Sequence, residues 1–370
     1  MPMGNQRVRF AVVGLGHIAQ AAVLPAFKHA KNCELAALVS DDAEKARQVG
    51  KMYGVSQIVD YEGYDALLES GAVDAVYIAL PNHLHCDFTV RAAQAGVHVL
   101  CEKPMAVTEA ECKAMITAAE LAEIKLMIAY RLHFEEANLR AIDVAQSGKI
   151  GEARVFTSTF THPVVEGNIR VKGQLGGGTL YDIGIYCINA ARYLYRDEPI
   201  EVVAASFNGG DPKYENVDEA TSVTLRFPGD RVATFTSSFG VGEVDAYRIV
   251  GSKGDLRVEP AFAYTGPLKH YLTIDGKLTE REFESKDQFA ALLVELANCI
   301  REDRDPEPNG IEGLADVRII EAAYRSAIER RPVRIEPVQK RLRPNLAQEK
   351  HFPPVKKAKL VEVESASGES

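Results

Sequence analysis

Residues 8–19 read Val8-Arg-Phe-Ala-Val-Val-Gly14-Leu-Gly16-His-Ile-Ala19, and this stretch decides the fold. Val8–Val13 is an apolar run without polar alternation, the pattern of a strand buried on both faces. A G-x-G-x-x-A follows at once and opens a helix. Gly14 allows the tight turn, Gly16 lets a pyrophosphate approach the backbone, and Ala19 lets helix and sheet pack closely. The phosphates of a dinucleotide would then rest on free N–H groups at the positive end of that helix, which makes Gly14, Leu15, Gly16, His17 and Ile18 the candidate phosphate-binding set.

Working outward, the same theme recurs at 35–39 (LAALV), 75–80 (AVYIAL), 97–101 (VHVLC) and 126–130 (LMIAY), with a very short strand expected at 58–59. Helical spacing fills the gaps. Ala46, Val49, Met52 and Tyr53 share one face of a helix, and Thr108-Glu-Ala-Glu111 has the spacing of a capping box. Strand–helix alternation at this spacing predicts a doubly wound parallel sheet. After about residue 134 the texture changes. Segments 134–147 and 178–195 read as helices, whereas Val223, Leu225 and Phe227 alternate with polar residues and turn at Pro228-Gly229-Asp230 into Ala233, Phe235, Ser237 and Phe239. Two more helices are expected near 288–301 and 311–330. The fold class is therefore α/β followed by α+β. An N-terminal Rossmann domain over 1–133 precedes a domain over 134–332 built on a large, mostly antiparallel open sheet, and residues 333–370 form a tail. Positions 340–359 carry seven Lys/Arg and one acid, Glu349, which reads as a solvated tail or an arm lying on a neighbouring subunit.

Composition removes several function classes. The 370 residues are 46% hydrophobic and 26% charged, ordinary for a globular chain, and the formal net charge is −9. That balance disfavours a nucleic-acid partner, because phosphate binding needs a positive field. No apolar run approaches the roughly 20 residues that span a bilayer, and the N-terminus lacks the order of a secretory signal. Six scattered cysteines without a C-x-x-C pair read as reduced thiols, with no metal site. A cytoplasmic location is expected.

Ligands of doubly wound sheets bind outside the carboxyl ends of the strands. At the end of the second strand stands Ser40-Asp41-Asp42-Ala43-Glu44-Lys45. A carboxylate aimed at the ribose favours NAD, whereas Ser40 and Lys45 favour NADP if an aspartate is occupied as a helix cap. The fourth strand ends in Leu80-Pro81-Asn82-His83-Leu84-His85 and the fifth in Cys101-Glu102-Lys103-Pro104, whose proline keeps Lys103 extended at the sheet edge. A third cluster, 176–186, places Asp182 and Tyr186 four apart on one helical face. Gly184 between them marks a close approach, by a ligand, by another backbone, or by a packed helix.

The Gly14–Ala19 loop, Pro81-Asn82 through His85, Glu102-Lys103-Pro104 and Asp182-x-Gly-x-Tyr186 together resemble the glucose–fructose oxidoreductase / inositol dehydrogenase / rhizopine-catabolism (Gfo/Idh/MocA) family, over roughly residues 8–332. Residues 101–106 (CEKPMA), 126–133 (LMIAYRLH) and 182–186 look nearest to the glucose–fructose branch, which carries tyrosine where most members carry histidine. The resemblance implies an NAD(P)-dependent oxidoreductase moving a hydride between nicotinamide and a sugar or polyol carbon, with Lys103, Asp182 and Tyr186 catalytic. A free phenol titrates near ~10, so base work at neutral pH calls for a nearby cation, and Lys103 is the natural one. Ser40 and Lys45 match 2′-phosphate contacts, so NADP is the expected cofactor, with NAD the alternative. Tyr61, Leu80, Pro81, Asn82, His85, Glu102, Arg131 and His133 match cofactor-side positions. Arg170 matches the arginine of the family's Trp-Arg pair, with Ile169 in place of the tryptophan. Loops 161–172 and 209–218 are expected to set substrate choice, with Tyr214 toward the nicotinamide. Only Met1–Arg7 precedes the first strand, so an N-terminal arm wrapping the cofactor is not expected and an exchangeable cofactor is. A homo-oligomer, dimer or tetramer, is implied through the open sheet. Two other readings remain open at this point, a non-catalytic NAD(P) sensor and an NAD-dependent glycosidase.

Overall fold

The computed structural model describes residues 6–363 and 365–368. Its first sheet holds β1 (Val8–Val13), β2 (Cys33–Val39), β3 (Gln57–Val59), β4 (Ala75–Ile78), β5 (His98–Cys101) and β6 (Leu126–Ile128). All pairings are parallel, in the order β3-β2-β1-β4-β5-β6. That order reverses direction beside β1, so a crevice opens at the carboxyl ends of β1 and β4. The expected capping box is present: Thr108 accepts from the Glu111 N–H, and Glu111 returns to the Thr108 N–H.

The second sheet holds β7 (Ala153–Thr161), β8 (Glu201–Phe207), β9 (Ala220–Phe227), β10 (Arg231–Ser238), β11 (Val244–Gly251), β12 (Gly254–Val258), β13 (Leu268–Ile274), β14 (Lys277–Phe283) and β15 (Val333–Arg334). Its order is β14-β13-β12-β11-β7-β10-β9-β8-β15, antiparallel except where β10 runs beside β7. The turn at 228–230 closes the β9–β10 hairpin with Phe227 opposite Arg231. One face of this sheet packs on the Ile185–Tyr195 and Gly310–Glu329 helices, and the other carries exposed Val155, Val203, Phe207 and Val244.

Two late segments return to the first sheet. In the Gln288–Glu302 helix, Leu292, Leu293 and Leu296 are fully buried against Phe10, Leu24 and Leu38, each stabilising the fold by roughly 1.5–3 kcal/mol. The tail also folds back on its own chain, correcting the expectation of a solvated or partner-bound arm. Three of the seven basic residues at 340–359 meet acids of the body: Lys340 pairs with Glu307 and Glu312, Arg343 with Glu198, and Lys350 with Glu295. Composition alone showed the charges and not the acidic sites that receive them. Among the described residues no helix is long and apolar enough to cross a membrane.

Candidate active site

The glycine turn has the two properties its spacing requires. Gly14 sits at φ +91°, and a Cβ there would lie 2.5 Å from the Ala79 carbonyl oxygen, so only glycine lets β1 turn against β4. A Cβ on Gly16 would meet nothing within 4 Å, which leaves open space in front of the first N–H groups of the following helix. That is a cradle suited to a pyrophosphate.

At the ribose end the helix cap is Asp42, its Oδ1 accepting from the Lys45 N–H at 3.0 Å while Oδ2 pairs with Lys45 Nζ at 3.2 Å. Ser40 Oγ accepts from the Asp42 N–H at 3.2 Å, which turns the hydroxyl into the same corner. Burial beside Asp41 pushes the Tyr61 phenol up to about 12, so it stays neutral.

The chemistry-bearing side chains converge from both domains. Lys103, at the end of β5, donates from Nζ to the main-chain oxygen of Asp182 at 2.7 Å, lies 3.6 Å from its Oδ1, and sits 4.7 Å from the centre of the Tyr186 ring. Asp182 belongs to a π-helical turn, Leu180–Gly184, that runs directly into the Ile185–Tyr195 helix carrying Tyr186. Such turns shift the helical register by one residue and recur at functional sites. Burial alone would raise the Asp182 carboxyl, but Arg170 (Nε to Oδ2, 2.7 Å), Lys103 and His162 (Nε2 to Oδ2, 3.4 Å) hold it well below the usual carboxylate range. Arg131 donates from Nη2 to the Tyr186 hydroxyl at 3.3 Å. Hydrogen bonds to the Phe262 carbonyl and to Gln288 Oε1 fix its guanidinium.

The helix under Tyr186 is held from behind. Arg192, fully buried, donates to Glu198, Glu312 and Asp316, each at 2.6 Å. Asn189 continues this network to His133 at 2.8 Å. His133 is thereby corrected from a cofactor contact to a support: Asn189 and Glu307 occupy both ring nitrogens inside the core. His85 is corrected likewise. Its ring is buried and bonded to the Leu80 and Pro104 carbonyls, so it ties together the ends of β4 and β5 and keeps no nitrogen for a ligand. Asn82 donates to the Gly176 carbonyl at 2.8 Å, joining the domains, and Glu102 is buried against the Tyr77 hydroxyl at 2.6 Å. Leu80 packs under Gly14, and Pro81 precedes a short 3-10 turn. Tyr214 is buried in a satellite apolar cluster with its hydroxyl donated to the Phe239 carbonyl, not turned toward the cleft. Gly184 faces Leu180 and Ser237, so the close approach there is side-chain packing within the protein.

Two functional groups escaped the reading by motif. His162 lies immediately after β7 and reaches Asp182 from the second sheet. Gln288 arrives from a helix more than a hundred residues beyond Arg131. Neither sits in a recognisable spacing; only the general position of the 161–172 loop pointed toward His162.

The first domain matches the model of an oxidoreductase family with an NAD-binding Rossmann fold over residues 8–130, and the second matches the GFO/IDH/MocA C-terminal domain over 138–257. The chain belongs to the Gfo/Idh/MocA family. Among curated members it is similar to D-xylose 1-dehydrogenase [NADP(+)] of Haloarcula marismortui, 33% identical over 89% of this chain and 93% of the relative. Among solved Gfo/Idh/MocA structures, aldose-aldose oxidoreductase from Caulobacter crescentus, complexed with glycerol, superposes with a TM-score of 0.85 at 39% identity, covering 89% of this chain and all of that one. A 3-ketoreductase from Actinomadura kijaniata, complexed with NADP and TDP-benzene, gives 0.80 at 27% identity, with coverage of 87% and 98%. Membership and site together make this chain an NAD(P)-dependent oxidoreductase of the Gfo/Idh/MocA family.

Proposed function

We propose that the protein is an NADP-dependent oxidoreductase acting on the carbon–oxygen centre of an aldose or related polyol, with Lys103, Asp182 and Tyr186 as its catalytic residues. The observation that carries this reading is the convergence of Lys103, Arg131 and Tyr186 at the carboxyl end of β5. Similarity to NADP-linked sugar enzymes supports both the substrate class and the cofactor. The occupied Asp42 carboxylate beside Ser40 and Lys45 supports NADP, since Lys45 already neutralises that acid.

The bound nicotinamide supplies the hydride acceptor, and the protein manages the proton. Oxidising a secondary or anomeric alcohol removes a hydride from carbon and a proton from its hydroxyl. Tyr186 Oη takes that proton, and in the reverse direction returns it. Arg131 donates to the Tyr186 oxygen and orients it, and Lys103 polarises the reacting oxygen from the other side. Asp182 aims Lys103 through its main-chain oxygen and its carboxylate. Arg170 and His162 keep Asp182 ionised, so it can accept a hydrogen bond from a neighbouring sugar hydroxyl.

The free thiols, five of the six buried, support a reducing, cytoplasmic setting. The apolar strip Val203, Phe207, Val155 and Val244 on the outer sheet face supports pairing with a second copy. A panel of aldoses with NADP and NAD, followed by nicotinamide absorbance, tests the proposal. NADPH formation from an aldose is expected. Sugar hydrolysis without net reduction would instead indicate a glycosidase, and nucleotide binding without any reaction a sensor.

A further inference from the structure

The groups that hold Arg131 lead back to a carboxylate on β11. Along that strand Asp245, Tyr247 and Ile249 turn to the packed face of the second sheet, while Val244 and Arg248 are exposed on the other. Asp245 Oδ1 accepts from the N–H groups of Ala261 and Phe262, at 3.0 and 2.7 Å. Both residues belong to the connection between β12 and β13 and are fully buried. The carbonyls of the same stretch hold the arginine. That of Phe262 accepts from Arg131 Nη2, and that of Ala263 accepts from Arg131 Nη1 at 3.4 Å. Gln288 completes the frame: its Oε1 accepts from Arg131 Nη1, and its Nε2 donates to the Ala263 carbonyl at 3.1 Å. Arg131 Nη2, so fixed, donates to the Tyr186 hydroxyl, and the Phe262 ring lies 5.7 Å from the Tyr186 ring.

We infer, on the proposed function in which Tyr186 moves the proton, that Asp245 is a positioning residue for that step, acting through residues 261–263 and Arg131. Buried N–H groups left without an acceptor are costly, so without the Asp245 oxygen the stretch shifts toward other partners. The Phe262 carbonyl lies one planar peptide unit beyond the Phe262 N–H and moves with it. Arg131 Nη2 serves that carbonyl and the Tyr186 hydroxyl at once. A guanidinium is a rigid fork, so a displaced carbonyl draws the donor away from the phenol. Burial pushes the Asp245 carboxyl up, while the two N–H groups and the Arg131 charge oppose that shift. The arginine is thus felt at Asp245 across the stretch that joins them.

The test compares kcat, aldose KM, NADPH affinity and Tm in the parent, Asp245→Ala and Asp245→Asn, then repeats the alanine change on an Arg131→Met background. Asp245→Ala should lower kcat by about tenfold to a hundredfold, the scale of a misplaced catalytic group, with KM and the NADPH dissociation constant unchanged. Asp245→Asn keeps an oxygen for both N–H groups and should recover most of the loss. On the Arg131→Met background the alanine change should add nothing, because the path to Tyr186 is already cut. Asp245→Val loses the same acceptor with a side chain suited to a strand, so it decides the matter if the alanine variant fails to fold. Parental kcat in a folded variant without the acceptor overturns the positioning role and leaves the functional proposal standing. An equal loss on both backgrounds does the same, since it marks a purely structural role. No NADPH formation from any aldose by the parent overturns the functional proposal, and the positioning role with it.

Discussion

The two walls of the cleft are built by different means. The first wall is main chain: a glycine turn whose shape depends on Gly14 meeting the Ala79 carbonyl and on empty space before Gly16. The second is a cluster of charges in which Arg170, His162 and Lys103 surround one carboxylate, Asp182, with Arg131 against Tyr186. A backbone cradle binds any dinucleotide phosphate and is indifferent to side-chain protonation. A charge cluster depends on the charge of every member. The contrast teaches that binding and turnover in this protein should be separable by mutation.

Tyr186→Phe gives the largest expected effect. It removes the proton acceptor and leaves the cradle intact, so kcat falls by about 10²–10⁴-fold while the NADPH dissociation constant holds. Turnover close to the parent's would break the separation. Gly14→Ala tests the other wall. At φ +91° a side chain costs about 1–3 kcal/mol in backbone strain, before its contact with Ala79. Calorimetry should show a lowered Tm together with weakened NADPH binding; unchanged values would mean the turn is not doing the holding.

The two walls also differed in how far they could be read from sequence. The cradle was visible because its residues are contiguous and each has one geometric reason to be there. The parallel, doubly wound character of the first sheet followed from buried runs separated by helices of ordinary length. Lys103, Asp182 and Tyr186 were visible through motif resemblance, although their mutual distances were not. His162 and Gln288 were hidden because their roles arise only when β7 and a late helix meet the first sheet. His85 and His133 were misplaced for a related reason. A histidine near a strand end can face the cleft or brace it from beneath, and the sequence does not record what its second nitrogen bonds. The return of the Gln288–Glu302 helix to the first sheet and the docking of the tail depend on long-range packing of the same kind.

Acid behaviour sharpens the comparison further. Burial would raise Glu307, but His133 and Lys340 hold it down to about 2, against an ordinary 4.5. Because the folded value is the lower one, its stabilising contribution is complete above about pH 4.5 and is lost as pH falls toward 2. Urea melts of Glu307→Gln across this window should show a shallower loss of stability than the parent. An identical slope would remove Glu307 from the account of how the tail and the Tyr186 helix are braced. The smallest effect belongs to the ribose corner. Lys45→Ala should cut the preference for NADP over NAD by about threefold to tenfold, the value of one partly exposed charge contact. A preference that does not move would place 2′-phosphate recognition elsewhere.

The central claim is that Tyr186 moves the proton in a hydride transfer between a sugar and NADP. Mixing NADP-saturated protein with a panel of aldoses and following nicotinamide absorbance, in parent and Tyr186→Phe, tests it most directly. The account predicts NADPH formation with at least one aldose in the parent, and none on the same timescale in the variant, with NADP bound equally by both. Equal NADPH formation in the two proteins, or none from any aldose in the parent despite bound NADP, would contradict it.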